Sequence, residues 1–398
     1  MQGSGSLLSQ LHADEFDEAE LRILISSHFG HGVWATSKEV HYSSTQGGDA
    51  ALILSYDSGG ELTEIAPGPA LDERSLSQLV AAIESERYAT DTDIARTCLF
   101  AAVPTRSQWR FADSAAIIPA PPGAPQPQEV LADHPFILEV RHRNSVSPRL
   151  RGLRSRRVLR CWELLLCVIV GWGIHSLGLY TTKRWVLTDT HGTLADVKPA
   201  FLQVGYFVPG YQAAEAEFSS GDSPRMLSVQ DDQFYARRGI SVDDSMAMPH
   251  SLPRALQRYR SLPSDEQRRF LRACFWFQLS ERQWELSRSA SYQSLVQAIE
   301  ALLPRRSVDR CAECDRPLEG PTRAFKDFVE TYAAWTTSSE RDEFYRLRSS
   351  VAHGSILFES DVELDFGGLR PLMWQQHETH GRMTQVARVA LVNYLLRV

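Results

Sequence analysis

The chain has 398 residues, of which 43% are hydrophobic, 23% charged and 10% aromatic. That composition excludes wholesale disorder, collagen-like repeats and a small disulfide-dense scaffold. The length suits two or three domains at about 150 residues each, and a net charge of −7 excludes coating of nucleic acid by bulk positive charge. Six cysteines are too few for a disulfide framework, and Cys98, Cys161, Cys167 and Cys274 lie singly in apolar contexts. They read as small buried hydrophobes in a reducing cytosol. The first residues, Met1-Gln2-Gly3-Ser4-Gly5-Ser6, lack the basic start and apolar core of a secretory signal. The most apolar run, Leu164 to Ile174, falls short of the roughly 20 residues that span a bilayer, and reads as a buried core element. A cytoplasmic protein without membrane association is expected.

In chain order, an acidic run (Asp14-Glu15, Asp17-Glu18) opens the chain. Residues 22–56 then hold short apolar stretches such as Gly32-Val33-Trp34-Ala35 and Ala51-Leu52-Ile53-Leu54, which read as strands joined by turns. Asp72 to Arg87 carries Leu76, Leu79, Val80 and Ile83 at helical spacing. Five prolines and a glycine in residues 119–127 predict an extended loop. Pro135 to Val140 reads as a strand, as do parts of 184–207.

Between these lies the most basic stretch. Arg141, Arg143, Arg149, Arg151, Arg154, Arg156, Arg157 and Arg160 fall within twenty residues that contain no acid. The plainer reading is a solvated loop and helix start. The functional one is a phosphate-tracking patch, centred on Arg149, Arg151, Arg154, Arg156 and Arg157, because guanidinium groups grip phosphates bidentately.

A polar stretch from Ser219 to Asp244 marks the expected boundary, and from Ser251 onward the pattern is helical. Ser264 to Trp284 has Phe270, Leu271, Cys274, Phe275, Phe277 and Gln278 on helical spacing, with Ser264-Asp265-Glu266-Gln267 as a capping-box start. Ser289 to Leu303 carries Leu295, Val296, Ile299 and Leu302, and Pro304 closes it. Thr322–Trp335, Ser338–Gly354 and residues 384–397 are three further helices. The expected fold class is α+β: a mixed α/β region over 1–230, then an all-α bundle over 231–398.

The fourth of these helices ends in Phe344-Tyr345-Arg346-Leu347-Arg348-Ser349-Ser350-Val351-Ala352-His353-Gly354. Phe344, Leu347 and Val351 make its core stripe. Arg348 and His353 lie about 140° apart around the axis and about 7.5 Å along it. One ideal helix therefore does not aim both at a single atom. They converge if the arginine stem swings round, if the helix unwinds at Gly354, or if two such helices face each other in a dimer. The carbonyl end of the helix favours a charged imidazole at His353.

This string, Tyr345-x-x-Arg348-Ser349-x-x-x-His353-Gly354, resembles the R-x4-H signature of HEPN domains, helical modules of many prokaryotic RNA-cleaving toxins and phage-defence proteins. Tyr235 to Ser241, Ala273 to Leu279, Leu295 to Leu302, Cys311-x-x-Cys314 and Phe325 to Phe328 are similar to the ApeA-like branch. The resemblance covers about residues 230–398, and 130–230 more loosely. It implies a HEPN bundle, a homodimer, and endoribonuclease chemistry that requires no cofactor. In that chemistry His353 moves the proton of the 2′-hydroxyl and Arg348 meets charge on the phosphate oxygens. It implies products with a 2′,3′-cyclic phosphate and a 5′-hydroxyl, an RNA substrate, and control by a regulatory partner or a phage trigger. Ser349 stands where active members carry Asn, Asp or His, and Ser355 where a modifiable tyrosine occurs in one branch.

Tyr345 and Ser349 lie eight and four positions before His353, placed to orient the imidazole or touch RNA. Glu300 is a candidate holder of Arg348. The plainer reading makes Arg348 and His353 a structural cap and ion pair at a helix end, with Arg348 paired to Glu300. A rival functional reading is a non-catalytic HEPN module for dimerisation or for binding nucleotide or RNA. A third places all RNA binding in the arginine stretch. Cys311-x-x-Cys314 has the spacing of half a zinc site, without a second such pair. The phosphate-loop, dinucleotide and H-E-x-x-H motifs are absent, which disfavours the corresponding chemistries.

Overall fold

A computed structural model describes residues 16–43, 48–120, 133–176, 224–237, 243–303, 320–363 and 370–397, together with Leu7, Leu11, Phe218, Gly239 and Ser241. The strands expected within 184–207, most of the proline-rich segment 119–127, and Cys311 and Cys314 lie outside the described residues.

The chain divides into two compact units. One holds the described residues up to Ala95 with Arg141–Val158; the other holds Arg96–Val140 and the described residues from Leu159 onward. The division is therefore not at residue 230. Backbone hydrogen bonds Gln108 N to Pro224 O (2.8 Å), Met226 N to Gln108 O (2.7 Å) and Met246 N to Pro104 O (2.9 Å) tie residues 104–108 to the approach of the C-terminal helices.

In the first unit, α1 (Glu18–Phe29) precedes an antiparallel sheet in the order β1-β2-β3-β4, made of Gly32–Thr36, Glu39–Tyr42, Leu52–Tyr56 and Leu62–Pro67, and α2 (Glu73–Tyr88) follows. Residues 22–29 are helix, not strand. The Asp17 carboxylate accepts from Ala19 N, and Leu21, Leu24, Ile25 and Phe29 fall on one buried side at helical spacing. Burial alternates along β2 and β3, so Val40, Tyr42, Leu52, Leu54 and Tyr56 meet Leu79 and Ile83 of α2 in one core. Asp72, the first residue of the expected helix, caps α2: its carboxylate accepts from Ser75 N at 2.8 Å.

A second sheet has the order β5-β8-β7-β6, from Thr92–Ala101, His134–Arg143, Ala115–Pro119 and Trp109–Phe111. β8 lies between two neighbours and is buried over most of its length, and Glu139, which interrupts its apolar run, is buried with Arg96 as its partner at 2.6 Å. α3 (Pro148–Ile169) continues into the apolar segment read as buried, and Leu166, Cys167, Val168, Ile169 and Val170 are fully enclosed. Among the described residues no helix is long and apolar enough to cross a membrane.

After short strands β9 (Ser228–Val229) and β10 (Met248–Pro249) and the one-and-a-half-turn α4 (Asp231–Ala236), the remaining elements are helical. They are α5 (Leu252–Ser261), α6 (Ser264–Gln283), α7 (Arg288–Glu300), α8 (Pro321–Tyr332), α9 (Ser338–Ala352), a 3₁₀ turn at Glu359–Asp361, and α10 (Pro371–Arg397). The chain is α+β. α7 is the central helix: Tyr292, Leu295, Val296, Ala298 and Ile299 are all fully buried, and it packs on α6, α9 and α10. The predicted capping box at Ser264 does not form, because Pro263 holds the cap position and the Gln267 amide donates instead to Leu262 O at 2.8 Å. Within α6, Leu271 is half-buried and Phe275 is exposed. α10 begins thirteen residues before the predicted 384, since Met373, Gln376, His380 and Met383 already lie on its buried side.

The end of α3 is closed from far away. Gly171, Trp172 and Gly173 all take positive φ, and the half-buried Arg388 of α10 donates to the carbonyls of Val168 (3.0 Å), Ile169 (3.3 Å) and Val170. A Cβ at Gly171 would stand 2.5 Å from the Arg388 guanidinium carbon, so a glycine is required there for space as well as for its φ of +74°.

Candidate active site

α9 starts on a full capping box. Glu340 N donates to Thr337 Oγ1 at 3.2 Å, and Thr337 N donates to Glu340 Oε2 at 2.8 Å. Arg382 of α10 pairs with the same carboxylate at 2.6 Å. Burial alone would raise the pKa of Glu340, but these hydrogen bonds and the guanidinium outweigh it and hold the pKa below the ordinary glutamate value. Arg341 and Phe344 form the buried face, and the Tyr292 hydroxyl donates to Phe344 O at 3.0 Å. The expected stripe Phe344, Leu347, Val351 is closed only at Phe344; Leu347 and Val351 are half-buried, and residues 352–357 are exposed. The helix thus emerges from the core toward its carbonyl end.

His353 is the residue that ends it. Its N–H donates to Ser349 O at 3.0 Å, and Gly354 turns the chain with φ +67° while Ser355 N returns to Ser350 O at 3.0 Å. The imidazole is exposed and has no side-chain hydrogen bond to any described residue. Arg348 sits one and a half turns back. Its Nη2 donates to Glu300 Oε2 at 3.1 Å, with the two side chains 24% and 23% exposed. Its guanidinium lies 5.6 Å from the centre of the Tyr345 ring, which rests against Phe325 at 5.4 Å. The Nε of Arg348 is enclosed with no hydrogen-bond partner. Glu300 is the final residue of α7, so the central helix delivers the carboxylate that holds the arginine. Ser349 is half-buried beside them.

No hydrogen bond joins Arg348 to His353 within the chain, as the helical geometry predicts. The arrangement offers a solvent-open imidazole at the carbonyl end of a helix and a guanidinium that is one quarter exposed. The first can take or give a proton; the second can bind a tetrahedral anion.

The loop after His353 is pinned at its far end. The Asp361 carboxylate accepts from Ser287 Oγ (2.9 Å), Arg288 N (2.6 Å) and Ser289 N (2.9 Å), satisfying the free N–H groups at the start of α7. Buried Phe358 donates its N–H to Ser289 Oγ at 2.8 Å. Burial works to raise the Asp361 pKa, and these hydrogen bonds reverse it, leaving the pKa lowered.

The arginine patch divides into two groups. Arg149, Arg151 and Arg156 are exposed, and no partner is recorded for their guanidinium groups among the described residues. Arg154 is buried, bound to Glu20 (2.7 Å), Glu86 (2.9 Å) and Asn144 O (2.8 Å), and Arg157 pairs with exposed Asp17 at 2.7 Å. Arg154 belongs to the core of the first unit rather than to its surface.

Among the described residues no group of three or more His, Cys, Asp or Glu side chains is arranged to hold a metal. Cys167 and Cys274 are buried and Cys98 and Cys161 partly so. Burial raises the pKa of each thiol, that of Cys98 to about 12, which fits their reading as small hydrophobes.

Sequence reasoning missed a second concentration of polar and aromatic groups, where Trp374, His377 and His380 of α10 meet Trp284 and Arg288. Spacing at i, i+3 and i+6 is the signal that would have flagged it. His380 is buried against Trp284 at 4.4 Å. Ser291 Oγ gives its proton to Ser280 O, so the 2.8 Å contact to His380 Nε2 requires Nε2–H to donate to Ser291 Oγ. Comparison of the chain with protein-family models, with curated proteins and with solved structures finds no match.

Proposed function

We propose that the chain is a HEPN-type endoribonuclease that works without a metal, acting in the cytoplasm as a toxin-like effector of phage defence. The observation that carries this reading is the end of α9, where an uncovered imidazole follows a guanidinium that is one quarter exposed. RNA brings its own nucleophile. His353 takes the proton of a 2′-hydroxyl, the freed oxygen attacks the neighbouring phosphorus, and the bond to the 5′-oxygen breaks. The leaving oxygen collects a proton, giving a 2′,3′-cyclic phosphate and a 5′-hydroxyl. Arg348 stabilises the charge that grows on the non-bridging oxygens, and its planar fork suits two of them at once.

Glu300 keeps Arg348 oriented in the resting chain, and a phosphate competes for the same guanidinium. Tyr345 walls the arginine from the other side, and Ser349 lies beside it. Two chains related by a two-fold axis bring a second Arg348 and His353 to one groove, which answers their separation around a single helix. The exposed Arg149, Arg151 and Arg156 of the first unit offer guanidinium groups to RNA phosphates, and the N-terminal region senses a trigger or partner.

The ion pair between Arg348 and Glu300 favours a second reading, a non-catalytic HEPN module in which the pair is purely structural. One experiment separates the two. Arg348→Ala or His353→Ala should each lower cleavage of a labelled RNA on the order of 10²- to 10⁴-fold, with EDTA present throughout and the products carrying cyclic phosphate ends. Equal cleavage by the double-alanine variant and the parent refutes the assignment.

A further inference from the structure

Three described guanidinium groups lie within 5 Å of an indole ring, and they are not alike. Arg237 over Trp172 (4.8 Å) is also paired with Asp244, and Arg382 over Trp335 (4.5 Å) is also paired with Glu340. Arg288 over Trp284 (4.5 Å) has no described carboxylate within ion-pair reach. Among the described residues its guanidinium has no carboxylate partner, although Asp361 accepts from its backbone N–H at 2.6 Å. From Trp284 the rings continue outward: Trp284 to His377 at 5.3 Å, then His377 to Trp374 at 6.4 Å with the two planes 24° apart. The row ends at Trp374, whose side is 54% exposed and whose only described ring neighbour is His377.

We propose that this row, Arg288–Trp284–His377–Trp374, is a stacking platform for the unpaired bases of an RNA strand. The exposed indole offers a flat face on which any base can lie, and the Arg288 guanidinium, at the other end of the row, offers a charge for a phosphate farther along the strand. An apolar protein segment would cover Arg288 without supplying an anion, which is costly, whereas a nucleic-acid strand brings the anion with the ring. Arg288 also donates its backbone N–H to Asp361, the residue that pins the loop running from His353. A hydrogen bond thus joins the platform to that loop. The proposal names unpaired RNA as the substrate class and rests on the ribonuclease reading for the identity of the strand.

The test uses the full chain carrying His353→Ala, so that binding is read without cleavage, and fluorescein-labelled oligouridylate and oligoadenylate in anisotropy titrations. Trp374→Ala should weaken binding of both about tenfold, following the usual loss on removing one stacking ring. Trp374→Phe should recover most of it. Trp335→Ala, which removes an indole of similar exposure whose guanidinium is neutralised, should leave binding unchanged. A duplex of the same length should be insensitive to Trp374→Ala. Equal affinity of parent and Trp374→Ala overturns the proposal, as does an equal loss in Trp335→Ala or the absence of any RNA binding. A chain that stacks RNA as described but does not cut it with His353 intact sinks the ribonuclease reading and leaves this one standing.

Discussion

Arg154 in the first unit and Arg348 at the end of α9 are both arginines gripped by glutamate, yet they sit in opposite circumstances. Arg154 is enclosed, with Glu20, Glu86 and a backbone carbonyl taking up its donors. Arg348 has one carboxylate, a quarter of its side chain open and one nitrogen unserved. The histidines repeat the contrast. His380 is shut among Trp284, Tyr292 and Phe358, while His353 projects from a helix end with no polar partner recorded. Full satisfaction marks a group that holds the fold; an unfinished set of bonds marks one available to a ligand.

The largest break in that comparison is expected at Arg154. Arg154→Ala strands two acids in the interior, so it should cost about 3–5 kcal/mol in urea unfolding; a loss below about 1 kcal/mol would place Arg154 with the exposed pairs. The next is at His380. Burial lowers its pKa from 6.5 to about 3, with His377 and Arg288 adding to the shift and Asp361 opposing it. The unfolded chain binds this proton near pH 6.5 and the native one near 3, so its contribution is intact above 6.5 and is lost as pH falls across that interval. Stability should decline with a slope of up to about 1.4 kcal/mol per pH unit, and His380→Gln should flatten it; identical slopes in the two proteins would refute the assignment. The smallest effect is at Arg348, where a half-exposed pair is worth about 1 kcal/mol or less. Arg348→Ala should therefore unfold within about 1 kcal/mol of the parent, so that lost cleavage in this variant reports chemistry rather than unfolding.

What could be read from the sequence was whatever is encoded locally. Asp72 before α2, the run Leu295, Val296, Ile299 in α7 and the extent of α9 follow from caps and period within a few turns. Arg348, His353 and the possibility that Glu300 holds the arginine were also legible, and that ion pair is present. α1 was hidden because its apolar residues lie amid serines and run up against a strand. The first half of α10 was hidden because Gln376 and His380 occupy core positions that a hydrophobic pattern does not count. Arg154 was grouped with its exposed neighbours because its partners stand 68 and 134 residues away. Spacing along one helix carries no trace of acids so distant.

The reach of Arg388 has a consequence for the order of assembly during synthesis. The carbonyls it closes at the end of α3 belong to residues about 220 positions earlier. A nascent polypeptide therefore exposes the uncapped Val168–Val170 terminus until residue 388 has been made, while the described residues of the first unit, the last of them Val158, are made far sooner. Premature termination anywhere before codon 388 yields a product whose second unit has no lock.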